Sequence, residues 1–250
     1  AQQLQALIRP GDTLWWGQAT AEPLTLTRAL VEHRHALAQG GRLRVFVGIG
    51  ASDTLQPEQA DVIDFFGYAA GGPHRRLAEA GVLDILPSHY SHLPGLIRTG
   101  VLPADVVLLQ VSPPDDQGRY SLGLAQEYLP AALEQARVVI GEVNPAIPWT
   151  HGGVHLQARD FALLIDAEHP PLEQGRAAPG PVEQAIARHV AALIEDGATL
   201  QLGIGNLPEA VLAALHSHRD LGLHSGAVGD GIAALAEAGV LTNAKKSMDT

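Results

Sequence analysis

One run of seven residues, Asp105-Val106-Val107-Leu108-Leu109-Gln110-Val111, limits the fold more than any other stretch of the chain. It has the length and β-branched content of a strand, yet its apolar residues do not alternate with polar ones. A strand apolar on both sides must be covered on both sides, as in the centre of a parallel sheet with helices on each face. Residues 43–47, 81–87, 137–143 and 161–165 read as further strands. Residues 24–37 and 125–136 place apolar side chains at helical spacing, and Gly40-Gly41 closes the first of these helices. Ser112-Pro113-Pro114-Asp115-Asp116-Gln117-Gly118 has the composition of a turn. The pattern predicts an α/β fold.

A second α/β pattern follows residues 166–181, where six prolines and glycines from Pro170 to Pro181 mark a linker. Residues 182–194 then read as an amphipathic helix and 199–202 as a short strand ending in Gly203-Ile204-Gly205. Residues 208–215 are helical, and Pro208 suits the first turn, where its missing N–H costs nothing. Residues 220–224 read as a second strand, with Ser225-Gly226-Ala227 as its exit loop. Both loops should open at the C-terminal edge of one parallel sheet, where open α/β folds bind ligands. Setting residues 11–17 over 197–203 matches Gly, Thr, Leu and Gly, and one residue of slack brings Pro23 onto Pro208. The match predicts two similar α/β halves, with domains at 1–178 and 179–250 and their glycine loops facing a shared cleft.

Composition removes several function classes. The chain has 250 residues, 46% of them hydrophobic, enough for a sizeable core in one large or two ordinary domains. Its net charge is −11, with lysine and arginine scattered, which argues against nucleic acid and anionic membranes as partners. Its longest uncharged apolar runs fall short of the roughly 18 residues of a membrane span, and the expected location is cytoplasmic. The absence of cysteine removes thiolate chemistry and cysteine metal sites.

The chemistry is less settled by pattern alone. Gly203-Ile204-Gly205 fits any tight βα turn. A dinucleotide fingerprint would put a third glycine where this chain has Pro208, although Asp220 falls near the expected acid. Histidine pairs such as His151/His155 have metal-ligand spacing, but Gly152-Gly153 opposes a helix between them, and no metal is expected. No Gly-x-Ser-x-Gly elbow occurs, and Ser225 reads as a loop serine. Carboxylates at loop tips are better candidates. Glu22 precedes Pro23 at the end of a glycine-containing turn, though it could equally be an acid favoured at a helix N-terminus. Asp53 and Asp230 can cap or fix turns, and Glu142 with Asn144 fits buried structural polar groups.

Residues 202–211, 219–226, Asp230-Gly231 and Thr242-Asn243-Ala244-Lys245-Lys246 resemble the acetyl-CoA hydrolase/transferase family, class I CoA-transferases that include the 4-hydroxybutyrate and itaconate enzymes. Gly17-Gln18-Ala19 with Glu22-Pro23, Ser112-Pro113-Pro114-Asp115, Ser121-Leu122-Gly123 and Glu142-Val143-Asn144 extend the resemblance to the first half. The resemblance implies two open α/β domains related by a pseudo-twofold and paired into homodimers. The substrates implied are an acyl-CoA and a small carboxylate, with no permanently bound cofactor. In such enzymes a glutamate attacks the acyl-CoA and then carries CoA as a glutamyl thioester. Gly203, Ile204, Gly205, Asn206, Leu207 and Gly226 are implied to bind CoA, the loop N–H groups stabilising the developing oxyanion. The family glutamate follows His-Thr at the end of the second strand, and the matching residues here are His224-Ser225-Gly226. The pseudo-twofold then points to the first half, with Glu22 as the catalytic candidate and Asp53 and Glu58 behind it. Hydrolysis, with water in place of the acceptor, is one alternative, and acyl-CoA binding without catalysis is the alternative that Gly226 supports. Family members continue past the Thr-Asn-x-x-Lys stretch, so the second domain is expected to be incomplete within these residues, and residues 1–250 alone are expected to self-associate.

Overall fold

The apolar run is a fully buried strand in a seven-stranded, all-parallel sheet. The computed structural model describes residues 2–175 and 178–248, and contacts divide the chain into two units, Ala1–Gln174 and Gly175–Thr250. The first unit runs α1 (Gln2–Leu7), β1 (Thr13–Trp16), α2 (Leu24–Glu32), α3 (Arg34–Ala38), β2 (Leu43–Phe46) and β3 (Ile63–Gly67). It continues with α4 (Arg75–Glu79), β4 (Leu83–Ile85), α5 (Leu93–Arg98), β5 (Val106–Val111) and β6 (Arg119–Ser121). It ends with α6 (Leu129–Gln135), β7 (Val138–Val143), β8 (His155–Gln157) and β9 (Leu163–Asp166). The strand order is β4-β3-β2-β1-β5-β7-β9. The chain therefore builds outward from β1 on one side, returns, and builds outward from β5 on the other. A crevice opens where the direction reverses, at the C-terminal ends of β1 and β5.

Both faces of the sheet are covered, as the apolar run requires. Leu14, Trp16, Val45, Phe65, Val106 and Leu108 pack with Leu26, Leu30 and Leu37 of α2 and α3. Their strand neighbours Trp15, Phe46, Phe66, Val107 and Leu109 pack on the opposite face with Leu93, Ile97 and Leu129 of α5 and α6. Trp15 stacks on Phe46 with ring centroids 3.9 Å apart and donates its indole N–H to Pro103 O at 2.8 Å. Aromatic stacking of this kind adds to the area term that drives burial.

Four boundaries differ from expectation, each for a local reason. The helix expected at 24–37 breaks at His33, whose backbone leaves the helical region, and the break lets Arg34 pair with Asp61 at 2.9 Å. The helix expected at 125–136 begins at Leu129 because Glu127 is left-handed at φ +49° and Pro130 belongs in a first turn. Strand β3 was not expected; its Ile63-Asp64-Phe65-Phe66 run pairs with β2, and Phe65-Phe66-Gly67 pairs with β4. The linker begins later than 166, since Asp166 closes β9 and Glu168 N–H donates to Thr25 Oγ1 at 3.0 Å.

The second unit contains α7 (Pro181–Ala191), β10 (Thr199–Leu200), α8 (Asn206–Ala214), β11 (Gly222–Leu223) and α9 (Asp230–Glu237). Strands β10 and β11 pair in parallel, and Leu212, Leu215, Leu221 and Leu235 form the core around them. Strand β11 is shorter than the 220–224 expected because Asp220 adopts φ +54°.

Candidate functional site

The loop leaving β1 crosses the crevice of the first unit, and Gln18 is its hub. The Gln18 carboxamide oxygen accepts from Ile49 N–H at 2.8 Å and from the Tyr68 hydroxyl at 2.6 Å. Its nitrogen donates to Glu127 Oε1 at 3.0 Å and to the Tyr90 hydroxyl oxygen at 3.3 Å. Gln18 N–H reaches Glu127 Oε2 at 3.3 Å. Residues from the C-terminal ends of β1 to β4 and from the segment before α6 thus meet at one amide with all four of its hydrogen-bonding sites used. Glu127 is half-buried, and among the described residues no salt bridge joins it. Burial holds its proton affinity above the usual carboxylate range, against the two Gln18 N–H bonds that favour its charged form.

Glu22 lies four residues beyond Gln18 and is only 3% exposed. Thr27 Oγ1 donates to its Oε1 at 2.7 Å and Ser52 Oγ to its Oε2 at 2.6 Å. Glu142 is near enough for the two charges to interact; burial chiefly, and Glu22 to a lesser degree, raise its pKa. Its Oε2 accepts from Thr25 and Leu26 N–H at the start of α2, at 2.9 and 3.2 Å, while its Oε1 is buried without a partner. His74 donates from Nδ1 to Gly48 O at 3.0 Å, which leaves a buried, unpartnered lone pair on Nε2, and burial lowers its pKa. Its ring lies against Gly50, where an added Cβ would come within 2.5 Å of it. Glu142 and Asn144 are the buried polar groups the sequence suggested, at 0% and 2% exposure.

In the second unit the two glycine loops leave the same end of the paired strands. Ser225 Oγ ties them together, donating to Leu202 O at 3.0 Å. Gly203, Ile204, Gly205, Asn206 and Leu207 are exposed, and Gly205 at φ +123° turns the chain into α8. Gly226 is exposed, and a Cβ added there would meet nothing within 4 Å. Asn206, Glu209, His216 and Gly231 line a cavity of about 420 Å³ beside α8 and α9. His155 stacks on Trp149 rather than facing His151, and among the described residues no group of three or more His, Asp or Glu is placed to hold a metal ion. No helix among them is long and apolar enough to cross a membrane.

An open parallel sheet with ligand-ready loops at its C-terminal edge defines an α/β ligand-binding class, and comparison with known proteins narrows it. Residues 1–165 match the acetyl-CoA hydrolase/transferase N-terminal domain, and the chain belongs to that family. It is 37% identical to the 4-hydroxybutyrate coenzyme A transferase of Clostridium kluyveri, over 99% of this chain and 58% of that protein. It is 31% identical to the succinyl-CoA:cyclohexane-1-carboxylate CoA transferase of Geobacter metallireducens, over 98% of this chain and 55% of that one. Among solved structures, RipA from Yersinia pestis superposes with a TM-score of 0.90 at 27% identity, covering 99% of this chain and 60% of RipA. The chain thus spans little more than half the length of these relatives.

Sequence reasoning selected Glu22 and the 203–207 loop. It missed Glu127, although Pro130 could have signalled that residues before 129 form a loop. The first unit brings Glu127 together with Gln18, Tyr68 and Tyr90, and Glu22 with Ser52 and Thr27, while Asp53 and Glu58 are exposed.

Proposed function

We propose that the full-length protein is an acyl-CoA:carboxylate CoA-transferase that moves CoA between a short acyl-CoA and a small carboxylic acid through a glutamyl-CoA thioester. The observation that carries this reading is the family match, supported by relatives named as CoA-transferases that use several different acids. The 203–207 loop and Gly226 are proposed to receive CoA, with loop N–H groups facing the developing oxyanion. CoA serves as substrate rather than as a resident cofactor, and the working assembly is proposed to be a homodimer. With glycine at 226, the carrier is proposed to be a carboxylate of the first unit. Glu22 is the sequence candidate, held by one hydroxyl donor on each oxygen.

The experiment is brief incubation of the full-length protein with a short acyl-CoA, acid quench, intact-mass measurement and peptide mapping. Transfer with a CoA-sized adduct is expected. CoA binding with neither adduct nor thioester loss would replace the proposal with a non-catalytic acyl-CoA-binding protein.

A further inference from the structure

The first-unit acids differ in one respect that matters for a nucleophile, which is how far each is exposed to water. Glu22 is 3% exposed with a hydroxyl on each oxygen. Asp53 and Glu58 are exposed to solvent, and a fully hydrated carboxylate is a weak nucleophile. Glu127 lies between these extremes. It is half-buried, and like Glu22 it accepts one hydrogen bond on each oxygen, here from the two N–H groups of Gln18, which leaves a free lone pair on each. It also sits at the β1/β5 reversal, where this fold opens its ligand crevice.

Its backbone adds an independent observation. Glu127 is left-handed at φ +49°, a conformation that costs a non-glycine residue free energy and persists where the surroundings fix it. The fixing groups are visible: Gln18 grips both carboxylate oxygens, and Tyr128 next in the chain is 1% exposed with its hydroxyl donating to Trp16 O at 2.8 Å. Tyr90 stands beside it, 41% exposed. Because Tyr90 oxygen accepts from Gln18, its own O–H proton remains available to a ligand in the crevice.

We infer that Glu127 is the catalytic carboxylate that takes up CoA, with the Tyr90 hydroxyl beside it as donor to the thioester oxygen. This rests on the CoA-transferase reading. One oxygen of Glu127 attacks the acyl carbonyl carbon of the donor, the carbon–sulfur bond breaks, and CoA leaves as thiolate. The thiolate attacks the glutamyl carbonyl carbon of the resulting anhydride, the carbon–oxygen bond breaks, and the donor acid leaves as its carboxylate. A glutamyl thioester remains. The acceptor carboxylate then runs the two steps in reverse with its own acyl group, restoring the Glu127 carboxylate. No proton, oxidant or reductant enters or leaves. The raised proton affinity of Glu127 supports the assignment, since a more basic carboxylate is the stronger nucleophile.

The test is peptide mapping of full-length wild-type protein quenched after acyl-CoA exposure, beside Glu127→Gln, Glu127→Asp and Glu22→Gln. The expected result is a CoA-sized mass on the peptide containing Glu127, its absence in Glu127→Gln, and a fall in transfer of at least about a thousandfold. Glu22→Gln should still form the adduct. An adduct on any other acid, or undiminished transfer by Glu127→Gln, overturns the inference and leaves the transferase reading standing. Absence of both adduct and transfer in the wild type overturns the two together. Mapping on the wild type needs no variant to fold, and Glu127→Asp, which keeps the charge, should retain the circular dichroism of the wild type while losing transfer.

Discussion

Replacing Gln18 by glutamate changes one atom at the hub of the first-unit site and gives an effect whose size follows from the geometry. The amide nitrogen that now donates to Glu127 Oε1 at 3.0 Å becomes an oxygen facing an oxygen. Two unit charges about 4 Å apart repel by about 4 kcal/mol at an effective dielectric near 20. The site is half-buried, and solvent screening leaves about half of that, near 2 kcal/mol. At 1.36 kcal/mol per unit this moves the upper apparent pKa of the coupled pair up by about 1.5 units. A folded-state pKa above the unfolded value means the folded protein holds the proton more tightly. The penalty is therefore absent below the unfolded carboxylate pKa and grows as pH rises through the folded one. Urea denaturation of Gln18→Glu between pH 4.5 and pH 8 should show a loss near 2 kcal/mol at the upper end and little at the lower. The exchange Gln18→Glu with Glu127→Gln restores a donor–acceptor pair and should recover most of the loss. An equal loss at both pH values, or no recovery in the double variant, would refute the reasoning.

Three further outcomes are expected. Gly226→Glu should unfold in urea within about 0.5 kcal/mol of wild type, because its Cβ enters open space; a larger loss would mean the loop is tighter than described. Ser52→Ala removes the 2.6 Å donor to a buried carboxylate oxygen and should cost about 1.5–3 kcal/mol by the same assay, whereas a cost below about 0.5 kcal/mol would show that Glu22 is not held there. The Asp61 carboxyl is brought down to about 2, first by its hydrogen bond from Arg34. Its contribution is therefore present above the usual carboxylate range and lost as pH falls toward 2. Asp61→Asn should flatten that part of the acid-denaturation curve, and an unchanged slope would count against the pair.

The central strand was legible because apolarity on both faces is a property of the local run, and Val106 to Val111 needs no partner to reveal it. The β10 and α8 pairing was legible for a similar reason, with Gly205 and Pro208 marking the turn. What sequence could not show were features set by distant groups. The place of β3 inside the sheet depends on its neighbours β2 and β4, and Asp64 within it obscured the pattern. Glu22 was legible as an acid at the end of a glycine-containing turn, but its burial depends on Ser52, thirty residues away. Glu127 went unnoticed because its importance comes from Gln18, 109 residues earlier. Neither residue signals the other.

The order β4-β3-β2-β1-β5-β7-β9 also determines how this chain must assemble as it leaves the ribosome. The first four strands of the sheet, β1 to β4, can pair as soon as residue 85 has emerged. Throughout that time β1 offers a bare edge, because its other neighbour β5 begins only at Val106. Pairing Leu14 with Val106 closes a loop of about 90 residues, so its entropy cost comes before its contacts form. The nascent half-sheet is thus the stage most exposed to mispairing. Slowing translation between residues 85 and 111 should prolong that stage, and chaperone capture should concentrate there.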